Sequence, residues 1–179
     1  MKNRNSRGMR IGVMSDTHGW IDPAVYEHFA GVDEIWHAGD AGNMDVITRL
    51  EAFRPLRAVW GNIDGHEVRR ATSEYLFFRA GTKNVLLIHI GGYPGHYAPR
   101  ALELIRSLSP DIFVCGHSHI TKVIYDKSNG MLCINPGAAG RTGIHKVMTL
   151  LRFRIEGDNL SDMEVIEFGN RGGKTAGEM

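Results

Sequence analysis

The sequence predicts one α/β domain built as a four-layer sandwich, two packed mixed β-sheets flanked by α-helices. Three observations predict it. The first half alternates short β-rich runs with amphipathic helical segments; the second half is mostly hairpins; and no repeat, linker or composition break marks a second domain. At 179 residues the chain is long enough to bury a real core. Residues 1–9 are expected to be a flexible tail, 10–168 the domain, and the Gly- and charge-rich 169–179 a second flexible tail.

Taken in order, Arg10 to Ser15 reads as a strand, and Asp22-Pro23 opens a helix with the carboxylate as N-cap and proline at the first position. Val25 and Phe29 mark its apolar face and Gly31 its close. Glu34 to His37 is a second strand. Met44 to Phe53 has helical periodicity through Val46, Ile47 and Leu50, ended by Pro55. Arg57 to Trp60 is a third strand. Tyr75 to Arg79 and Val85 to His89 form a hairpin about Ala80-Gly81-Thr82-Lys83. A helix follows at Pro99 to Leu108, with Ala101, Leu104, Ile105 and Leu108 on one side. The remaining strands are Ile112 to Val114, Lys122 to Tyr125, Met131 to Ile134, Lys146 to Ile155 and Met163 to Phe168.

Composition narrows the function classes. Hydrophobic residues make up 42% and charged residues 23%, as in an ordinary globular protein. Twenty-one Lys+Arg against 20 Asp+Glu leave +1, so no global charge drives the chain to nucleic acid or anionic membrane. The polar, basic N-terminus carries no apolar segment of a secretion signal, and a cytoplasmic protein is expected. Cys115 and Cys133 lack paired metal-site spacing and read as buried, reduced thiols.

The polar residues fall at strand ends. Ile11 to Met14 leads into Asp16-Thr17-His18, Ile35-Trp36 into His37-Ala38-Gly39-Asp40, and Val59-Trp60 into Gly61-Asn62-Ile63-Asp64. Val85 to Ile88 leads into His89, Ile112 to Val114 into Gly116-His117-Ser118-His119, and Cys133-Ile134 into Asn135-Pro136-Gly137. Any one cluster could be an ordinary turn. The ordered set is better explained by one crevice beyond the carboxyl ends of strands that share a sheet edge. Gly39, Gly61 and Gly116 precede candidate ligands where the chain must turn and approach closely. In extended chain His117 and His119 would lean to the same side, about 6–7 Å apart at Cα, able to grip one ion or share two.

Asp16, His18, Asp40, Asn62, His89, His117 and His119 would thus converge. Imidazole with carboxylate and amide oxygen suits Mn²⁺, Fe or Zn²⁺ better than Ca²⁺ or Mg²⁺. Seven ligands exceed the needs of one ion and suit two if a carboxylate bridges.

The ordered set D-x-H, G-D, G-N, H and G-H-x-H resembles the calcineurin-like metallophosphoesterase superfamily. The small size, Gly61-Asn62-Ile63-Asp64 and Asn135-Pro136-Gly137 are similar to its compact bacterial and archaeal phosphodiesterase branch. The resemblance implies a first metal on Asp16, His18, Asp40 and His119, and a second on Asp40, Asn62, His89 and His117, with Asp40 bridging. It implies two divalent ions, Mn²⁺ foremost with Fe, Zn²⁺ or Ni²⁺ as alternatives, and a metal-bridging hydroxide that attacks phosphorus in line with the leaving oxygen. Asp40 and Asn62 are then catalytic; Asn62, Asp64 and Arg141 are candidates for substrate contact.

Two departures bear on the proton donor. Ile63 stands where many members of the family carry a phosphate-contacting histidine, and His89-Ile90-Gly91 lacks the second histidine of H-G-H. His96, in the segment Gly91 to Ala98, is the substitute candidate. His37 reads as packed or supporting a ligand, His28 as exposed on a helix, His66 as a loop residue beside the site, and His145 as the start of a strand. The expected partner is a small phosphate ester, without strong nucleic-acid or membrane binding and with homo-oligomerisation open. The rival expectation is a non-catalytic metal-binding scaffold of the same fold, resembling the retromer scaffold subunit; a nuclease ranks third because no basic stripe is present.

Overall fold

The computed structural model describes residues 8–143 and 146–170; the expectations for 1–7, 171–179 and His145 fall outside them, while Met9, Gly169 and Asn170, expected in flexible tails, lie in strands. The elements run β1 (Met9–Met14), α1 (Ala24–His28), β2 (Glu34–His37), α2 (Met44–Phe53), β3 (Leu56–Ala58) and α3 (His66–Ala71). There follow β4 (Tyr75–Ala80), β5 (Lys83–Ile88), the short ribbon β6 (Gly92–Tyr93) and β7 (His96–Tyr97), and α4 (Pro99–Leu108). Last come β8 (Ile112–Val114), β9 (Thr121–Asp126), β10 (Met131–Pro136), β11 (Val147–Glu156) and β12 (Asn159–Asn170).

Two five-stranded sheets result, ordered β12-β11-β1-β2-β3 and β4-β5-β8-β10-β9. Each contains a run of three parallel strands, at one side of the first sheet and at the centre of the second. β1, β2 and β3 run parallel, as do β5, β8 and β10; β11 runs against the first set and β4 and β9 against the second, while β12, antiparallel to β11, runs in the direction of β1. Alternation along the strands builds the layers. Val85 and Leu87 of β5 join Ile11, Val13, Trp36, Ile112 and Val114 between the sheets. Leu86 and Ile88 turn the other way, under Ala101, Leu104 and Ile105 of α4. On the far side α1 and α2 cover the first sheet through Val25, Phe29, Val46, Ile47 and Leu50. The four-layer sandwich is as expected. Trp36 pins the middle, edge-on to Phe78 at 5.3 Å and Phe153 at 5.7 Å, one from each sheet; truncating such an anchor costs about 3–5 kcal/mol.

Three elements differ from the sequence reading. α3 stands where a loop was expected around His66, because only Val68 of its six residues is buried and no apolar period announces it. α1 is a short helix that ends at His28 rather than Gly31; Asp22 accepts the Ala24 N–H through its side chain at 2.9 Å. Gly92 to Tyr97 pair as a ribbon, Tyr93 opposite His96, where a loop was expected. Among the described residues no helix is long and apolar enough to cross a membrane.

Candidate metal centre

Five of the six parallel strands, all but β10, deliver a cluster residue just past their carboxyl ends. Asp16 and His18 follow β1, Asp40 follows β2, and Asn62 lies beyond β3. His89 follows β5, and His117 and His119 lie beyond β8. The connections there are tightly wound. Asp16, His18, Asp40, His117 and His119 all have left-handed backbone, with φ of 55°, 49°, 55°, 67° and 58°. A non-glycine residue in that region costs about 1–2 kcal/mol, and strain of this kind gathers where a site must be held in one geometry. This corrects the extended H-x-H geometry: Ser118 N–H turns back to the Gly116 carbonyl at 2.8 Å. A left-handed residue on each side of Ser118, rather than a strand pleat, sends the two imidazoles to different places.

The first cluster is Asp16, His18 and His119, whose ligand atoms lie within 4.8 Å of one another. Asp16 Oδ1 is 3.1 Å from His119 Nε2 and 3.8 Å from His18 Nε2, and the two Nε2 atoms face each other at 3.4 Å. Although that carboxylate oxygen is buried and close to imidazole, it has no hydrogen-bond partner of proper geometry. A converging set of nitrogen and oxygen donors around an orphaned buried oxygen fits a divalent cation. Asp16 Oδ2 accepts the His117 N–H at 3.1 Å. Burial alone would raise the Asp16 carboxyl, but His119 and His18 beside it hold it well below the usual carboxylate range.

The second cluster is Asp40, His89 and His117, equally compact. Asp40 Oδ2 sits 3.2 Å from His89 Nε2 and 3.9 Å from His18 Nε2, between the two clusters. Its Oδ1 accepts the Ile63 N–H at 3.0 Å. His89 Nδ1 lies 2.7 Å from the Ala38 carbonyl, which accepts its proton and leaves Nε2 free as a donor atom for a cation. Asn62 Oδ1 lies 3.0 Å from that Nε2, and the His89 and His117 rings meet edge-on at 5.2 Å. Burial would raise Asp40 and lower His89; their mutual contact prevails, so Asp40 is held below the ordinary range and His89 above it.

Groups behind the ligands fix this geometry. His37 is fully buried; its Nδ1 accepts the Gly39 N–H at 3.2 Å and its Nε2 is 3.0 Å from the Thr17 hydroxyl. Burial lowers its pKa to about 4, partly opposed by Asp64 and Asp16, which matches the expected packed, supporting role. Asn135 Nδ2 donates to the Gly116 carbonyl at 2.8 Å and to the Ser118 hydroxyl oxygen at 3.1 Å, anchoring the turn that carries His117 and His119. A Cβ on Gly61 would strike Asp40 Oδ1, and one on Gly116 would strike the Ser15 hydroxyl, so both positions need the bare backbone.

The remaining expectations fare unevenly. Asp64 is only 3% exposed, and its carboxylate accepts the N–H groups of Gly61, Ala41 and Gly42 at 2.8, 3.2 and 2.6 Å. It braces the Asn62 turn against the Asp40 turn, its carboxylate taken up by these three amides. His96 is exposed on the β7 ribbon, its ring 4.9 Å from Tyr93, and it lines a groove of about 290 Å³ that also contains His117. Arg141 lies 3.7 Å above the Trp20 ring. His28 is half-buried against Phe168 rather than exposed, and His66 opens α3. Both cysteines are buried, and burial pushes the Cys115 thiol up to about 12.

Comparison with known proteins shows the family and the fold. A protein named "Probable metallophosphoesterase" from Methanothermobacter thermautotrophicus is 35% identical over 172 residues, covering 90% of this chain and 94% of that one. A protein from Methanocaldococcus jannaschii named a phosphodiesterase is 24% identical over 146 residues, covering 72% and 83%. Among solved structures, a Vps29 point mutant from Entamoeba histolytica superposes with a TM-score of 0.72 at 18% identity, over 90% of this chain and all of that one. A predicted phosphoesterase from Streptococcus pneumoniae gives 0.62 at 22% identity, over 91% and 98%. The family described as Calcineurin-like phosphoesterase superfamily domain matches residues 9–158, and with that match over most of its length the chain belongs to this superfamily.

Proposed function

We propose that the protein is a metal-dependent phosphoesterase acting on phosphodiesters through two divalent ions, Mn²⁺ foremost. One observation carries this reading: two compact donor groups lie side by side, with Asp40 Oδ2 facing an imidazole from each. Asp16, His18, Asp40 and His119 would hold one ion, and Asp40, Asn62, His89 and His117 the other. Such a pair, when bound, supplies Lewis-acid charge to phosphate oxygens and acidifies the attacking water.

The residues do the rest. Asn62 contributes a neutral oxygen, so the second group adds no further negative charge and the centre keeps its pull on phosphate. Left-handed backbone at five ligands presets the donors, so little reorganisation is left for binding. His96 would give a proton to the leaving oxygen, a role supported by its lining the same groove as His117. Arg141, its guanidinium face on Trp20, keeps edge N–H groups for a phosphate oxygen.

The test is reconstitution with Mn²⁺ and turnover of bis(4-nitrophenyl) phosphate. EDTA should abolish turnover, and Asp40→Asn should lower it at least about a hundredfold. In the same assay His96→Ala should slow diesters with poor leaving groups and spare activated ones; equal rates on both would remove His96 from the mechanism. No turnover with any of several divalent ions would overturn the phosphoesterase reading. The Vps29 likeness supports a second reading, a metal-binding scaffold without catalysis. A stoichiometric protein partner together with absent hydrolysis would favour it.

A further inference from the structure

Three large aliphatic side chains stand exposed where a polar site would be expected to carry polar ones. Ile63, Ile90 and Ile120 are 47%, 44% and 46% exposed, and each directly follows a cluster residue, Asn62, His89 and His119. Scattered exposed aliphatics are ordinary surface. Three in register with three ligands form an apolar rim to the metal centre.

Ile90 is the telling one, because it lines two grooves, one reaching Asn62 and His89 and the other His117. The larger, about 410 Å³, begins at Asn62 and His89 and is walled by Trp60, Ile88, Ile90, Ala98 and Pro99. Its charged groups are already occupied. Arg100 pairs with Glu74 and Glu103 at 3.5 and 3.0 Å. Arg69 donates to the carbonyls of Asp64, Gly61 and Asn62 and lies over the Trp60 ring at 4.3 Å. What remains for a ligand is apolar wall. The smaller groove differs: Lys122 lies 3.5 Å over the Tyr93 ring and His96 against the same ring, so it offers cationic and polar groups.

We propose that the Trp60–Ile90 groove is the subsite for an apolar ring or alkyl arm of the substrate's ester, with Ile90 as its specificity-determining residue. The proposal rests on the phosphodiesterase reading for the placement of the phosphate and adds the chemical class of one ester group. Asn62 and His89 belong both to the second donor group and to the mouth of this groove. A phosphate seated on the centre therefore directs one substituent along Ile90. The other substituent passes toward His117 and His96, on the polar side.

The experiment compares methylphosphonate and phenylphosphonate by calorimetry on the Mn²⁺-loaded full chain. The phenyl compound should bind about tenfold more tightly or better, the discrimination a hydrophobic pocket gives for added apolar bulk. Ile90→Ser and Ile90→Asp should bring the two affinities together, and metal stoichiometry with thermal unfolding on each variant shows that the centre and fold persist. Equal binding of the two probes by the wild type, binding of neither, or a phenyl preference that survives both substitutions would each overturn the assignment. Bis(4-nitrophenyl) phosphate turnover, run in parallel, separates the two readings. Hydrolysis without phenyl preference sinks the groove alone; phenyl preference without hydrolysis keeps the groove and sinks the esterase.

Discussion

The two donor groups use the same residue types and are held in opposite ways. Around Asp40 the protein satisfies its own ligands. Oδ1 takes the Ile63 N–H, His89 is oriented through its Nδ1 at the Ala38 carbonyl, and Asn62 lies against His89 Nε2. Around Asp16 it does not: a fully buried carboxylate oxygen lacks a hydrogen bond while two imidazoles crowd it. The underpinnings differ as well. His37 ties the Thr17 hydroxyl to the Gly39 amide beneath the first group, through neutral hydrogen bonds in a dry place. Asp64 ties the Asn62 turn to the Asp40 turn beneath the second, through bonds to a carboxylate. A preorganised site loses little when empty, whereas an orphaned buried oxygen is a standing cost of about 1–3 kcal/mol. A cation relieves more at the Asp16 group, and that group should fill first.

Metal stoichiometry tests the comparison at its largest effect. The wild type should titrate with two ions, the first bound more tightly. His119→Ala should lose the tighter step and His117→Ala the weaker one, each retaining one ion by elemental analysis. Loss of both ions in either variant would mean that the centre is a single coupled unit and the contrast drawn above is wrong. Loss of the same step in both variants would mean that the turn about Ser118 does not divide its two histidines between the groups.

Asp64 sharpens the second half of the contrast. Asp64→Ala removes the acceptor of three buried or half-buried N–H groups, which should cost about 3 kcal/mol in chemical denaturation. Because Gly61 and Gly42 flank the turns that carry Asn62 and Asp40, the weaker metal step should weaken further while the tighter one stays. An unaltered weak step in a destabilised variant would reduce Asp64 to a fold residue with no bearing on the site.

Much of this was legible before any coordinates. The candidate ligands could be singled out because each follows a β-rich run by one to five residues, and the parallel strands of the two sheets bring such ends together. The layers could be named because strand–helix alternation gives way to hairpins. Other features left no trace in the residue order. α3 has a single buried side chain, Val68, too little for a periodic signal. Left-handed backbone at Asp16, His18 and His119 carries no glycine or asparagine to announce it. Asp64 stands two residues after a ligand and resembles one; only its three amide partners reveal a brace. The Trp60–Ile90 groove is lined from five separate stretches between Trp60 and Arg100, so no local pattern encodes it.

His37 offers the smallest effect and isolates the first group's support. Its pKa is lowered from 6.5 to about 4 by burial, so between those values the unfolded chain binds a proton that the folded chain does not. Stability therefore falls as the pH drops through that window and is regained as it rises. From pH 7 to pH 5 the loss should be about 2 kcal/mol from this residue alone. His89 works in the other direction, since its pKa is raised and its contribution fades as the pH climbs. The informative quantity is thus the difference between wild type and His37→Gln, each in EDTA, by urea denaturation at both pH values. The variant should be less stable at pH 7, having lost the Thr17–Gly39 tie, yet should lose less on acidification. Parallel pH profiles for the two proteins would show that His37 is already protonated when folded. The first group would then rest on a buried ion pair with its neighbouring carboxylates, as the second rests on Asp64, and the contrast between the two would reduce to the orphaned oxygen of Asp16.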